Sequence, residues 1–184
     1  MISTEAQRAS DEDEAPIWEP NLHWLTDMLA VGGCFPIERA PELARAHGIR
    51  AIVDLREEDC DDAELLSREG IEFLHLPTTD QMGPSREWLQ QGVEFTQQQI
   101  RRGNRVLIHC REGIGRSPLL ALCVMVAEGH EPLAALSLAK DRRELVSPSR
   151  AQYLAWADWL TSRGQTAPDY HSFGCIAYRH LANG

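Results

Sequence analysis

The stretch Arg105-Val106-Leu107-Ile108-His109-Cys110-Arg111-Glu112-Gly113-Ile114-Gly115-Arg116-Ser117-Pro118 decides the fold. Its apolar run, residues 106–108, predicts a short buried strand, and the Ser-Pro pair opens an apolar helix. Between them, Gly113 and Gly115 let the backbone curl so that successive N–H groups point at one spot. The start of the helix adds its own free N–H groups and its positive dipole end. The sequence therefore predicts an anion cradle between a strand and a helix.

Two side chains of this stretch carry the expected chemistry. Cys110 lies at the floor of the cradle, where a thiolate would be stabilised and nucleophilic. Arg116 ends the loop with a planar fork that suits two oxygens of a phosphate. A buried cysteine without a role is common at strand ends, but it would leave the two glycines and Arg116 unexplained. The pattern therefore favours a phosphate site with a nucleophile.

The composition limits the partners. The chain has 184 residues, of which 28 are acidic and 18 are basic, and its formal net charge is −10. That balance argues against binding to nucleic acid and to anionic membranes. The longest apolar run, residues 118–127, is too short to span a bilayer, so no membrane insertion is expected. Positive potential for a phosphate must be local.

The cysteines favour a reducing compartment. They are odd in number and scattered, without the spacing of metal ligands or of a disulfide framework: Cys34, Cys60, Cys110, Cys123 and Cys175. The first residues contain neither a basic region nor an apolar core, so no signal peptide is evident. We expect a soluble, cytoplasmic protein, monomeric by default, that uses no metal and no other cofactor.

Working outward from the loop, strands and helices alternate. The pattern predicts a hairpin over 17–33, strands over 49–55, 71–76 and 106–108, and helices over 37–47, 63–69, 85–102, 117–128, 132–143 and 148–163. This order indicates an α/β fold with a central, mostly parallel sheet flanked by helices. Residues 1–15 are acidic and predict a disordered tail. The catalytic domain then covers 16–164, with its packing ending at Gly164, and 165–184 form an extension of unknown role.

The loop resembles that of the cysteine-dependent phosphatases, in the dual-specificity branch of the protein tyrosine phosphatase superfamily. The resemblance rests on His109, Cys110, Arg116 and Ser117 and is supported by residues 29–33, 53–56 and 152–154. It implies a protein tyrosine phosphatase-like fold and metal-free hydrolysis of phosphate monoesters through a phospho-cysteine on Cys110. Phosphate would be bound by Arg111, Glu112, Gly113, Ile114, Gly115 and Arg116.

Such hydrolysis also needs a proton for the leaving oxygen, from an acid on a separate loop. Asp80 follows a predicted strand in a polar loop and lies upstream of Cys110 at a distance similar to that of the family's general acid. The resemblance implies that it acts first as acid and then as base. A local turn-capping role is the alternative for Asp80. Four other aspartates follow another strand and compete for the role: Asp54, Asp59, Asp61 and Asp62.

Three further roles follow from the resemblance. Ser117 is implied to stabilise the cysteine sulfur when the intermediate breaks down, and it could also cap the helix. His109 is expected to be a buried structural donor that shapes the loop. Gln152 could position the water of the second step, although a helix-surface position is the simpler interpretation.

Several alternatives stay open. The substrate could be a phosphorylated protein, carrying phosphotyrosine or phosphoserine/threonine, or a small phosphate ester or phosphoinositide. Arg111 is basic, but Glu112 is acidic and Ile114 apolar, which weakens the lipid assignment. A pseudophosphatase that binds phosphate without turnover and a rhodanese-like sulfurtransferase are the other classes. Cys60 or Cys123 could form a protective disulfide with oxidised Cys110.

Overall fold

The computed structural model describes residues 18–181, so the predicted acidic tail over 1–15 lies outside the described residues. Within these residues a five-stranded sheet forms the centre, with strands β1 (Leu22–Trp24), β2 (Leu29–Gly32), β3 (Ile49–Arg56), β4 (Glu72–Thr78) and β5 (Arg105–His109). Their order in the sheet is β1-β2-β5-β3-β4. In this sheet β1 and β2 pair antiparallel, and the other neighbours are parallel. The predicted mostly parallel sheet is confirmed.

In the described part of the chain, seven helices cover both faces of the sheet. They are α1 (Ala40–Ala46), α2 (Ala63–Arg68), α3 (Arg86–Arg101), α4 (Arg116–Ala127), α5 (Pro132–Arg142), α6 (Arg150–Ser162) and α7 (Tyr170–Ala177), with short 3-10 turns at Ile37–Arg39 and Arg179–Leu181. Side chains alternate along each strand, so Ala30, Ile52 and Leu107 meet α1 and α2 in one core. Val31, Val53 and Ile108 belong to the larger core formed with α3 to α7.

The loop that forms the cradle follows the central strand of the sheet, at the end where the parallel strands have their carboxyl termini. β5 lies between β2 and β3, and it ends at His109 directly before the loop. The loop therefore lies at the carboxyl ends of parallel strands, where open α/β sheets bind ligands. α4 behind it is buried along nearly its whole length, which holds the loop on a rigid base. No helix within residues 18–181 is both long enough and apolar enough to cross a membrane.

Two local predictions are wrong. The strand predicted over 71–76 continues to Thr78 and includes Pro77. Because β4 is an edge strand, the N–H that proline lacks can face away from the neighbouring strand. Ser117 does not cap α4, because the helix already begins at Arg116 and Gly115 is the N-cap residue.

The C-terminal extension is part of the packed domain, so the prediction that packing ends at Gly164 is also wrong. Phe173 and Ala177 of α7 are fully buried in the larger core. The Phe173 ring contacts the aromatic rings of Tyr153 and Trp156 on α6. Residues 165–184 showed no periodicity because a helix of eight residues offers too few turns to reveal a face.

Candidate active site

Cys110 lies at the floor of the loop, with its side chain buried. The backbone N–H of Gly113 donates to its Sγ at 3.3 Å, and Ser117 Oγ lies 3.2 Å from the same sulfur. Gly113 has φ +71°, and a Cβ there would lie 2.5 Å from the carbonyl carbon of Gly32. Only glycine fits that position. The donors around Sγ, together with the start of α4, stabilise negative charge on the sulfur.

The Arg116 guanidinium is buried, and Glu58 and the backbone of Thr78 fix its orientation through hydrogen bonds. Its Nη1 and Nη2 each donate to a carboxylate oxygen of Glu58 at 2.8 Å, and Nη1 also donates to the carbonyl of Thr78. This pairing lowers the pKa of Glu58 to about 2, because the hydrogen bonds favour its charged form. Arg116 Nε is buried and has no hydrogen-bond partner among residues 18–181. One donor of the guanidinium is therefore left without a hydrogen-bond acceptor.

Asp80 reaches over the loop from the segment that follows β4. Its Oδ1 lies 3.3 Å from Nη2 of Arg116, and its side chain is largely exposed. Asp80 and Cys110 line the same cavity of about 90 Å³, together with Arg111, Glu112, Ile114, Gly115 and Arg116 of the loop, and with Gln81, Ser147 and Gln152. The structure thus brings the predicted acid, nucleophile and arginine to one place.

The segment that carries Asp80 is fastened to the start of α6. Ser149 Oγ donates to the carbonyl of Gln81 at 2.6 Å, and Gln152 Nε2 donates to the carbonyl of Met82 at 3.3 Å. A Cβ on Gly83 would lie 2.3 Å from the Cβ of Ala155, so the backbone of this segment packs directly on α6. Gln152 is therefore buried against the segment that carries Asp80 and is not a helix-surface residue.

Four aspartates that competed for the acid role lie outside the cavity. Asp54 and Asp61 are buried, and both carboxylates bind the Arg56 guanidinium. Asp59 also pairs with Arg56, and Asp62 caps α2. Each has a structural partner, and none lines the cavity with Cys110.

His109 is fully buried between this acidic network and the loop. Its Nε2 lies 2.7 Å from a carboxylate oxygen of Asp61, and its Nδ1 lies 3.3 Å from the carbonyl of Cys110. Asp54, Asp61 and His109 offer atoms close enough together to hold a metal ion. Because Arg56 already supplies the positive charge between the two carboxylates, the cluster fits an ion-pair network better than a metal site.

Two residues at the site escaped the sequence analysis. Glu58 belongs to an acidic run that follows β3. Because β3 and β5 are parallel neighbours, their carboxyl ends meet, and this brings Glu58 to Arg116. Arg143 is buried, and it donates to the carbonyls of Gly113 and Glu112 from behind the loop. The same guanidinium also contacts Asn21 and His23 near β1. Nothing in the local sequence separates Arg143 from the exposed Arg142 beside it.

The two cysteines considered for redox protection have other surroundings. Cys123 is fully buried in α4, and burial raises the pKa of its thiol well above the usual value. Cys60 Sγ donates to the carbonyl of Asp61, and burial together with nearby aspartates raises its pKa. The sulfur contacts of Cys110 within residues 18–181 are Ser117 and Gly113.

The chain matches known phosphatases. A family model described as "Polymorphic toxin system, DSP-PTPase phosphatase" matches residues 28–130, more than half of the chain. The probable protein tyrosine phosphatase type IVA B of Dictyostelium discoideum is 31% identical over 130 residues, which cover 68% of this chain and 69% of that protein. The human phosphatidylglycerophosphatase and protein-tyrosine phosphatase 1 is 29% identical over 107 residues, covering 54% of this chain and 53% of that protein.

Among solved structures, the protein Tk-PTP, crystallised in its active form, has 25% sequence identity to this chain. The two structures superpose with a TM-score of 0.69, and the match covers 76% of this chain and 96% of Tk-PTP. The likeness therefore extends over most of the chain and is not limited to the loop.

Proposed function

The chain belongs to the dual-specificity phosphatases of the protein tyrosine phosphatase superfamily, and from that we propose that it dephosphorylates phosphotyrosine and phosphoserine/threonine proteins through a phospho-cysteine on Cys110. One observation carries the proposal. Cys110, Arg116 and Asp80 all line one cavity of about 90 Å³, and the Nε of Arg116 has no hydrogen-bond partner among residues 18–181. A nucleophile, an anion donor and a proton donor are the three groups that hydrolysis of a phosphate monoester needs.

In the first step, the Cys110 thiolate attacks phosphorus and the bond to the ester oxygen breaks. The N–H groups of the loop and Arg116 Nε bind the phosphoryl oxygens, where charge is held in the transition state. Asp80, which lines the same cavity from a separate segment, gives its proton to the leaving oxygen. The products of this step are the free alcohol or phenol and the phospho-cysteine.

In the second step, a water molecule attacks the phospho-cysteine. Asp80, now a carboxylate, takes the proton of this water, and the phosphorus–sulfur bond breaks. Ser117 Oγ, 3.2 Å from Sγ, donates to the departing thiolate. Inorganic phosphate leaves, and Cys110 and Asp80 return to their starting states. No metal ion takes part in either step.

The test uses the reduced full-length protein and p-nitrophenyl phosphate in a buffer that contains EDTA. We expect turnover in the wild type and none in Cys110→Ser, which should still bind a phosphopeptide by calorimetry. Cys175→Ser is the matched control, because Cys175 is exposed on α7 and does not line the cavity. Turnover by Cys110→Ser would refute the assigned nucleophile. A wild type that binds but does not turn over would indicate a pseudophosphatase, and an EDTA-sensitive rate would contradict the metal-free mechanism.

A second candidate is a phospholipid phosphatase. It is favoured by the human relative, whose name includes phosphatidylglycerophosphatase. Both candidates would use the same steps at Cys110 and differ only in what surrounds the phosphate. Comparing the rates on phosphopeptides and on phosphatidylglycerophosphate in mixed micelles separates them, and a higher kcat/KM on the lipid would favour the second candidate.

A further inference from the structure

The backbone carbonyls of the cradle are bound by donors that do not belong to the loop. Four consecutive carbonyls each accept such a hydrogen bond: those of Arg111, Glu112, Gly113 and Ile114. The N–H of Cys34 donates to the first at 3.0 Å, and the Arg143 guanidinium donates to the next two at 2.8 Å each. The N–H of Ser147 donates to the fourth at 2.8 Å. We call these three groups the outer donors.

The outer donors determine the direction of the N–H groups of the cradle. A trans peptide unit is planar, so its C=O and its N–H point in opposite directions. A carbonyl that is held away from the cavity therefore turns the N–H of the following residue toward the cavity. The N–H of Gly113 shows this directly, because it donates to Cys110 Sγ at 3.3 Å. The outer donor on Ile114 acts in the same way on the N–H of Gly115, which also lines the cavity.

Ser147 is the outer donor that belongs to the least regular part of the chain. It lies between α5 and α6, in residues 144–148, which form neither helix nor strand. Ser147 also lines the cavity, so we call residues 144–148 the wall segment. Regular secondary structure does not fix the wall segment, and other contacts must hold its N–H against the carbonyl of Ile114.

The wall segment is held by a buried lysine in the last turn of α5. Lys140 is 1% exposed and is the only lysine among the 18 basic residues of the chain. Its Nζ donates to the carbonyls of Glu144 and Val146 at 2.5 and 2.9 Å, and to Nδ1 of His180 at 2.7 Å. An ammonium group has three N–H donors, and all three are used. A compact ammonium suits this position because the acceptors converge on one atom, whereas a guanidinium presents a planar fork.

The C-terminal extension contributes further contacts to the wall segment. His180 lies in the 3-10 turn that follows α7 and accepts from Lys140. The Tyr178 hydroxyl donates to the carbonyl of Pro148 at 2.6 Å, and Ser147 Oγ donates to the carbonyl of Ala177 at 3.4 Å. The extension therefore supports the same residues that border the cavity.

We propose, on the basis of the proposed phosphatase function, that Lys140 is a positioning residue for phosphate binding and that the C-terminal extension completes the active site through it. Lys140 holds the wall segment, Ser147 then holds the carbonyl of Ile114, and the N–H of Gly115 faces the phosphoryl oxygens. Without the ammonium, two buried carbonyls lose their donor and the wall segment moves. Loss of one preorganised donor costs about 10²–10³-fold in rate, and a donor that is only misdirected should cost about 10-fold.

The experiment measures inhibition by vanadate, which occupies the phosphate site, together with kcat/KM on aryl phosphates. Lys140→Met keeps a side chain of similar length without a donor. We expect vanadate inhibition about 10-fold weaker than in the wild type. The loss in kcat/KM should be equal for phenyl phosphate and p-nitrophenyl phosphate, because the proton for the leaving oxygen comes from Asp80. A larger loss for phenyl phosphate would show that the variant displaces Asp80 instead, and it would overturn the proposal.

Tyr178→Phe tests the extension by a smaller change, which removes one hydrogen bond to the wall segment and keeps the ring. We expect vanadate inhibition to weaken about 3-fold. Tyr153→Phe is the matched control, because the Tyr153 hydroxyl also donates to a proline carbonyl, that of Pro168, at 2.8 Å, outside the wall segment. It should leave vanadate inhibition unchanged. Equal effects of the two substitutions would mean general loss of packing and would overturn the proposal. If Lys140→Met does not fold, this comparison decides alone.

The wild type separates this inference from the proposed function. Absence of turnover on p-nitrophenyl phosphate by the wild type would refute the proposed function itself. If the wild type is active and vanadate inhibits Lys140→Met and Tyr178→Phe as strongly as the wild type, the inference about the wall segment is overturned alone.

Discussion

Gly83→Ala tests whether the packing of the Asp80 segment on α6 positions the general acid. The new Cβ would lie 2.3 Å from the Cβ of Ala155 and 3.2 Å from the carbonyl oxygen of Ala151. The backbone angle φ of Gly83 is not in the left-handed region, so the substitution acts by steric contact and not by backbone strain. The segment must move away from α6 and carry Asp80 with it.

The size of the effect follows from the distances. Carbon atoms pack at about 3.5–4.0 Å, so the contact at 2.3 Å requires a shift of more than about 1 Å. A displacement of that size at a catalytic group costs on the order of 10²-fold in rate. The loss should be largest for phenyl phosphate, whose leaving oxygen needs the proton of Asp80, and smaller for p-nitrophenyl phosphate, whose leaving group is stable as an anion.

The assay measures kcat for a series of aryl phosphates with the wild type, Gly83→Ala and Asp80→Asn. Gly83→Ala should show the same steeper dependence on the leaving group as Asp80→Asn, for which we expect a loss of about 10²–10⁴-fold on poor leaving groups. Ala155→Gly removes the atom that Gly83→Ala would strike, so the double variant should recover most of the rate. An equal loss for all esters, or no recovery in the double variant, would refute the positioning argument.

Two further predictions concern stability. Phe173→Ala should lower the free energy of unfolding by about 3–5 kcal/mol, because the ring is fully buried against α6, and a thermal melt that matches the wild type would contradict the packing of α7. Glu58→Gln should destabilise the protein at neutral pH, because the pKa of Glu58 is lowered to about 2 by Arg116. Its contribution is complete above about pH 4.5 and is lost as the pH falls toward 2, so the difference in urea stability between the two proteins should shrink over that range. A constant difference would show that the ion pair is not its source.

The cradle could be predicted because its chemistry is local in the sequence. Cys110, the two glycines and Arg116 fall within seven residues between a strand and a helix, and each has one physical reason for its type. The prediction of a mostly parallel sheet needed no more than the alternation of strands and helices, whereas the order of the strands came only from the structure. Asp80 could be singled out because it follows a strand end in a polar loop and because the resemblance implies a general acid there; its place beside Cys110 is observed, and its role stays a prediction.

The partners of the cradle could not be predicted because they come from distant positions. Glu58 is one of several acidic residues in a row, and only the pairing of β3 with β5 brings it to Arg116. Arg143 stands beside Arg142 in the same sequence context, and only its burial shows that it holds the loop. The sequence pattern indicates the residues to which we assign the chemistry but not the residues that hold them in place.

The support from Arg143 links the candidate active site to a short edge strand of the sheet. The guanidinium joins the loop to Asn21 and His23, and β1 is an edge strand of three residues that pairs on one side only. Short edge strands open at lower free energy than the core. When β1 frays on heating, Arg143 loses two of its partners and the loop loses its anchor. Thermal inactivation should therefore precede the melting of the helices, with the enzyme switching off while most of the fold is still intact.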